Sequence, residues 1–126
     1  MFAERRAAPR GHLMQTSQVT NQFCANQVLT VFRSRLRSDA DPAYSNHAER
    51  IASLARAMPG YVDHKIFTAD DGERVTVVTF DARESHDAWR VQADHVAAQR
   101  AGIESYYETY SIQVATVSRA SSFSRS

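Results

Sequence analysis

The sequence contains little of what common cofactor and metal sites require. Only one of its 126 residues is a cysteine, Cys24, so the chain can form neither an internal disulfide nor a cysteine-based metal cluster. Four glycines leave little scope for a glycine-rich loop around a phosphate, which excludes flavin or nicotinamide binding through a Rossmann motif. No HxH, HExxH or CxxC spacing occurs, so no metal site is expected.

Long apolar runs and a concentrated basic surface are also missing. No segment approaches the roughly 20 apolar residues that span a bilayer. The basic start, MFAERRAAPRGHLMQ, lacks the apolar segment of a secretory signal, so we expect a cytoplasmic protein without a membrane partner. The net charge is +1, but residues 28–118 carry ten basic and thirteen acidic residues, a formal −3, which argues against a nucleic-acid partner.

What is present fits one small domain. Residues 1–26 are polar and lack sustained periodicity, so we predict a flexible N-terminal arm, and residues 120–126 form a flexible tail. The domain itself covers residues 27–119.

Hydrophobic periodicity within this domain predicts six elements in the order βαββαβ. The strands are 27–37, 61–68, 74–80 and 106–119, and the helices cover 42–58 and the segment from Glu84 to Gly102. Asp70-Asp71-Gly72-Glu73 supplies the turn between the middle strands, because Asp and Gly tolerate positive φ. This order predicts an α+β, ferredoxin-like domain, with a four-stranded antiparallel sheet and both helices on one face.

Several strands carry apolar residues on both faces. In the third strand, Val75 and Val77 point to one face, and Val78 and Phe80 point to the other. Two-sided apolar strands indicate that both sheet faces are covered, and nothing is left in the chain to cover the second face. We therefore predict a homodimer that forms through the sheet.

Four segments resemble the antibiotic biosynthesis monooxygenase domain in order and spacing: MPGYVDHKIF, DGERVTVVTF, HDAWRVQADHVAAQRAG and ESYYETYSIQVATVSR. The resemblance covers about residues 28–119. It implies a dimeric α+β barrel with one pocket per subunit between the sheet and the helices. That family includes cofactor-independent oxygenases of polycyclic phenols and haem-degrading monooxygenases. The function implied is cofactor-independent oxygenation of a small aromatic or polyketide-type substrate, with O2 as co-substrate.

The second predicted helix carries the two candidate catalytic residues. Trp89 packs in the core and, as the resemblance implies, forms a wall against which an aromatic substrate stacks. His95 is the candidate base: a neutral imidazole takes a phenolic proton, and the phenolate reacts with dioxygen without a metal. The alternative for His95 is a solvent-facing or capping role. An ideal helix separates the two residues by about 120°, so they share a pocket only if it bends or unwinds near Gln92–Asp94.

The haem-degrading branch of the family provides a further alternative. In that branch the axial histidine follows the tryptophan by about three helical turns, and an asparagine lies on the first strand. The corresponding positions here fall at Gln99 and near Ser34. Because glutamine is a poor iron ligand, we expect no haem, although His95 is an alternative ligand from another turn.

Aromatic residues complete the predicted pocket. The residues predicted to bind substrate are Phe32, Tyr44, Gln99 and Tyr110. Strand alternation predicts that Tyr106 and Tyr110 share one face and that Tyr107 lies on the other. A non-enzymatic alternative is a dimeric small-molecule-binding or accessory protein of the same fold.

Other polar residues receive structural interpretations. Arg33 and Arg35 alternate out of the first strand and are expected to pair with Glu108 or Glu104. His47, His64 and His86 are scattered, and no paired carboxylate spacing marks any of them as catalytic.

Overall fold

The computed structural model describes residues 22–39, 43–92, 96, 97, 100 and 105–125. Its six elements follow the predicted order: β1 (Val28–Leu36), α1 (Tyr44–Arg56), β2 (Tyr61–Thr68), β3 (Arg74–Phe80), α2 (Arg83–Val91) and β4 (Tyr107–Thr116). None of the helices in the described ranges is long and apolar enough to cross a membrane. The predicted arm, residues 1–26, lies mostly outside the described residues and stays a prediction.

The four strands form one antiparallel sheet in the order β2-β3-β1-β4. β1 is rich in β-branched and aromatic residues and receives a neighbour on each side, so that Val28 pairs with Phe80 of β3 and with Thr116 of β4. The edge strand β4 is exposed along almost its whole length. The predicted α+β, ferredoxin-like fold is confirmed.

The hairpin between β2 and β3 closes at the predicted turn. Ala69 N–H donates to the Glu73 carbonyl at 2.8 Å, and Gly72 N–H donates to the Ala69 carbonyl at 2.9 Å. Gly72 has a φ of +92°, in the left-handed region where a side chain is strained. The turn therefore uses the conformational freedom that the sequence Asp-Asp-Gly-Glu indicates.

The core lies where both helices meet the end of β3. Ala55 of α1, Phe80 of β3 and Trp89 of α2 form one buried cluster, against which Ile51 and Tyr61 pack among others. Phe80 is fully buried. Burial of a side chain of this kind stabilises the fold by about 1.5–3 kcal/mol. The cluster fixes both helices against one sheet face, and this face is also the one that bears the cavity described below.

Helix α2 is shorter than predicted. It was expected to continue to Gly102, but it ends at Val91, and Gln92 is extended with φ −63° and ψ 132°. The Gln92 N–H donates to the Trp89 carbonyl at 3.1 Å, which tightens the last turn before the chain leaves the helix. The interruption at Gln92 falls at the start of the segment Gln92–Asp94, where a bend was required for Trp89 and His95 to share a pocket. Gly102 lies outside the described residues.

The sheet face away from the helices carries Leu29, Val31, Val75 and Val77, as strand alternation requires. These side chains are half-buried. Phe67 alternates onto the same face and is 52% exposed. Apolar residues therefore do occupy both faces of β1 and β3.

The expected pairing of Arg33 and Arg35 with Glu108 or Glu104 was wrong for the described residues. Arg33 Nη2 lies 2.7 Å from Glu73 Oε1, and Arg35 Nη2 lies 2.8 Å from Asp71 Oδ2. The register brings the β2–β3 turn beside the end of β1, because Ser34 pairs with Arg74. The Arg33 guanidinium holds the pKa of the Glu73 carboxyl below its usual value. Glu104 lies outside the described residues.

Candidate functional site

A cavity of about 590 Å³ lies between the two helices and the sheet face on which they pack. All four strands and both helices contribute to its wall. Four of the six predicted site residues line it: Phe32, Tyr44, Trp89 and Tyr110. The other two, His95 and Gln99, lie outside the described residues, so their roles stay predictions.

Aromatic rings crowd the end of the cavity formed by β1 and β4. The Phe32 ring lies 5.4 Å from Tyr107 and 5.6 Å from Tyr110, measured between ring centroids. Tyr44 of α1 lies 6.1 Å from Tyr107. These separations fall in the range in which aromatic pairs attract each other, so the rings form one continuous wall.

The prediction that Tyr107 lies on the opposite face from Tyr110 was wrong. The register between β1 and β4 shifts at Arg35/Leu36, and this irregularity interrupts simple alternation along the strand. Tyr107 therefore contacts Tyr110 on the helix-bearing side, at 6.0 Å between ring centroids. Tyr106 is buried nearby.

The phenol group of Tyr107 in this wall is held in its neutral form. Burial raises the pKa of Tyr107, and the adjacent Tyr44, which hydrogen-bonds to it, raises that pKa further. The Arg74 guanidinium lies 5.3 Å from the centre of the Tyr44 ring, over its face. Tyr107 therefore offers a hydroxyl as a hydrogen-bond group and does not supply a phenolate near neutral pH.

Trp89 forms the opposite part of the wall. It is 6% exposed, belongs to the core cluster and also lines the cavity. Its ring stacks on Phe80. Trp89 therefore both packs in the core and forms part of the cavity wall.

Both ring nitrogens of His86, in the cavity wall, have hydrogen-bond partners. His86 is buried at the start of α2, and its ring lies 6.4 Å from Phe80 in an edge-on contact. Its Nε2 lies 2.8 Å from Thr30 Oγ1 on β1, and its Nδ1 lies 3.0 Å from Asp87 Oδ1. A carboxylate, a buried imidazole and a cavity-lining hydroxyl thus form one hydrogen-bonded chain.

The partners of His86 determine its tautomer. An ionised carboxylate only accepts hydrogen bonds, so Nδ1–H donates to Asp87. In the neutral ring Nε2 is then the acceptor, and the Thr30 hydroxyl donates to it. The Thr30 oxygen keeps lone pairs for further hydrogen bonds, and Thr30 also lines the cavity.

Two further histidines reach the cavity. His64 of β2 has its Nδ1 2.7 Å from the Tyr61 hydroxyl. His47 of α1 packs against Tyr106 in a tilted arrangement, with ring centroids 4.7 Å apart. The buried Nε2 of His47 has no hydrogen-bond partner among the described residues. Burial, and then the neighbouring positive charge of Arg50, lowers the pKa of His47 below its ordinary value of 6.5, so its ring is neutral at pH 7.

None of these three histidines was predicted to line the pocket. His47 was detectable, because it lies one turn of helix from the inward-facing Ile51. The His86–Asp87 pair had no such signal, since adjacent residues on a helix do not normally face each other. Within the described part of the chain, no cluster of three or more potential ligands could hold a metal ion.

No known protein-family profile matches the chain. The uncharacterized protein YqjZ of Bacillus subtilis (strain 168) is 35% identical over 89 residues, which cover 71% of this chain and 78% of YqjZ. The chain belongs to the YqjZ family. Because YqjZ is uncharacterized, membership of the YqjZ family assigns no reaction to this chain.

Solved structures share the fold at low sequence identity. SnoaB, a cofactor-independent oxygenase from Streptomyces nogalater, superposes with a TM-score of 0.64 and 18% identity, over 76% of this chain and 97% of that one. A dimeric ferredoxin-like protein of unknown function from Thermobifida fusca superposes with a TM-score of 0.58 and 13% identity, over 72% and 91% of the two chains. These similarities show the fold alone.

Proposed function

We propose that the protein is a cofactor-independent monooxygenase of the antibiotic biosynthesis monooxygenase type that oxidises a small aromatic, polyketide-type molecule. The observation that carries this proposal is the aromatic lining of the cavity between Phe32 and Trp89. Cavities of a few hundred Å³ with apolar walls and few polar groups are typical small-molecule sites. The fold shared with SnoaB and the four sequence segments named above support the same assignment.

The proposed chemistry starts from a phenol. Loss of the phenolic proton leaves an electron-rich phenolate, which supplies the electrons that reduce O2. One oxygen atom of O2 becomes the new carbonyl oxygen on the ring. The other leaves as water together with the phenolic and ring hydrogens, so the product is a quinone and no external reductant is consumed. O2 is the co-substrate, and no haem is required.

Each predicted residue has a role in this proposal. Trp89 stacks on the substrate ring, and Phe32, Tyr44, Tyr110 and Gln99 contact it. His95 is the proposed base. The extended backbone of Gln92 interrupts α2 within the segment where a bend was required, which supports this role for His95.

Oxygen consumption tests the proposal. The purified protein is supplied with a panel of polyphenols, and wild type is compared with His95→Ala. We expect substrate-dependent oxygen uptake by the wild type and a fall of about 100-fold or more in the variant, the range for loss of a general base. Saturable binding of polyphenols without oxygen uptake would instead identify a non-enzymatic binding protein.

We also propose that the protein is a homodimer through the sheet face that carries Leu29, Val31, Val75 and Val77. Support comes from the apolar character of this face and from the dimeric ferredoxin-like protein of Thermobifida fusca. Symmetric pairing of one face with its copy is the simplest closed assembly.

A further inference from the structure

The geometry points to a proton relay, formed by Thr30, His86 and Asp87, that takes the phenolic proton of a substrate bound in the cavity and connects it to the surface of α2. The relay rests on the proposed function, because it needs a phenol in the cavity. It gives the phenolic proton to Thr30 and His86 instead of to His95, so the comparison of wild type with His95→Ala described above separates the two routes. It assigns catalytic contact to Thr30 and positioning roles to His86 and Asp87.

The three groups differ in their access to solvent in the order that a relay requires. Thr30 lines the cavity. The side chain of His86 is 4% exposed, and that of Asp87 is 47% exposed. The chain of hydrogen bonds therefore leads from the cavity wall, through a buried imidazole, to a carboxylate in contact with water.

The two distances are short enough for direct proton transfer between heavy atoms, at 2.8 Å from Thr30 Oγ1 to His86 Nε2 and 3.0 Å from His86 Nδ1 to Asp87 Oδ1. Two strand pairings and one ring contact fix the positions of Thr30 and His86. Thr30 is paired on both sides in the centre of the sheet, opposite Val78 and Val114, and the His86 ring rests on Phe80. The relay is therefore held in place before any substrate binds.

The surroundings of His86 leave Asp87 as its charge partner. β1 presents the neutral Thr30 to the ring, and β3 presents the apolar Phe80. His47, His64 and Arg90 line the same cavity, and no hydrogen bond or ion pair joins them to His86 in the described ranges. An imidazolium formed at His86 is thus stabilised by the Asp87 carboxylate in direct contact with it.

The proton transfer conserves atoms and charge. The O–H bond of the bound phenol breaks, and its electron pair stays on the phenolate oxygen. Thr30 Oγ1 accepts that proton while its own proton moves to His86 Nε2. The products of the step are a phenolate in the cavity and an imidazolium that donates through Nδ1 to Asp87. Transfer of the Nδ1 proton to Asp87 and then to water leaves the imidazole neutral, with its remaining proton on Nε2.

The ionisation of bound 4-nitrophenol tests the relay, because the phenolate and the phenol have distinct absorption spectra. Spectra of the saturated complex are recorded for wild type, Thr30→Val and Asp87→Asn. The matched controls are Thr30→Ser, which keeps the hydroxyl, and Glu84→Gln, which removes a negative charge from α2 without touching His86. Thermal melting checks that every variant is folded.

We expect the bound phenolate-to-phenol ratio to fall about tenfold in Thr30→Val and in Asp87→Asn, corresponding to about one pK unit, and to stay near the wild-type value in both controls. If the wild type and all variants bind 4-nitrophenol with the same phenolate-to-phenol ratio, the relay is wrong, but the proposed binding cavity is not contradicted. If the wild type does not bind 4-nitrophenol, the proposed function fails, and the relay fails with it. A general structural defect would lower binding or the melting temperature in Thr30→Ser as well.

Discussion

Trp89 stacks on Phe80 with ring centroids 6.5 Å apart and ring planes inclined by 29°. Phe80 is fully buried, whereas Trp89 also lines the cavity. The pair therefore joins the hydrophobic core to the proposed site, and changes at Trp89 affect both stability and ligand binding.

Substitution at Trp89 separates these two contributions. Trp89→Phe keeps a buried ring, and we expect it to cost about 1–2 kcal/mol of unfolding free energy, against about 3–5 kcal/mol for Trp89→Ala. Binding of a polyphenol should weaken in Trp89→Phe, because the stacking surface shrinks. Urea denaturation and calorimetric titration measure the two effects. Unchanged affinity in a stable Trp89→Phe protein would remove Trp89 from the binding site.

Two glycines provide a matched test of the loop geometry. Gly60 has φ +85°, and an added Cβ would collide with the Ser85 side chain on α2. Gly72 has φ +92°, but open space surrounds it. We expect Gly72→Ala to cost about 1–2 kcal/mol from backbone strain alone, and Gly60→Ala to cost about 1–3 kcal/mol more through overpacking. Equal destabilisation in urea denaturation would contradict this packing of α2 against Gly60.

The lowered pKa of His47 predicts how the free energy of unfolding depends on pH. Its pKa is lower in the folded protein than its ordinary value of 6.5, so protonation favours the unfolded chain. This contribution to stability is fully present above pH 6.5 and is lost as the pH falls through 6.5 toward the folded-state pKa. His47→Phe keeps a ring beside Tyr106 and removes the titrating group, so its stability should change less over this range.

Denaturation curves at about pH 8 and about pH 5.5 measure the difference. At the higher pH, we expect His47→Phe to be equal to wild type or more stable by about 1–2 kcal/mol, because it removes a buried nitrogen with no partner among the described residues. An unchanged pH dependence in His47→Phe would show that other groups determine the acid sensitivity.

The dimer proposal predicts sensitivity to charge on the sheet face that lacks helices. Val31 pairs with Val77 and Gln113 near the middle of that face. We expect the wild type to sediment as a dimer at micromolar concentration and Val31→Asp to sediment as a monomer. Ser45→Asp places the same charge on an exposed position of α1 and should stay dimeric. A well-folded monomeric wild type would refute the dimer.

The sequence was sufficient to predict the architecture because periodicity and turn chemistry agree along the domain. β2 and β3 begin and end where predicted, and the turn between them depends on Gly72. The end of α2 was not predictable, since Gln92 carries no helix-breaking chemistry, yet its backbone is extended. Local helix propensity alone does not predict that the helix ends at this residue.

The site was predictable only in part, for similar reasons. Phe32, Tyr44, Trp89 and Tyr110 were found because spacing predicts which aromatic residues face inward, and the family resemblance implies a pocket between the sheet and the helices. Tyr107 was misplaced because one register shift beside Leu36 reverses the facing of a strand residue. The Thr30–His86 bond joins residues that are 56 positions apart, and no local pattern encodes a contact of that kind.

The most direct test of the account uses its single tryptophan, because Trp89 is both the intrinsic fluorophore and part of the cavity wall. Polyphenols are titrated into the protein while tryptophan fluorescence is recorded, with tryptophan amide as the control for inner-filter effects. We predict saturable quenching with one equivalent per chain, weakened by Phe32→Ala on the opposite wall. Quenching that rises linearly and matches the tryptophan amide control would contradict a ligand site beside Trp89.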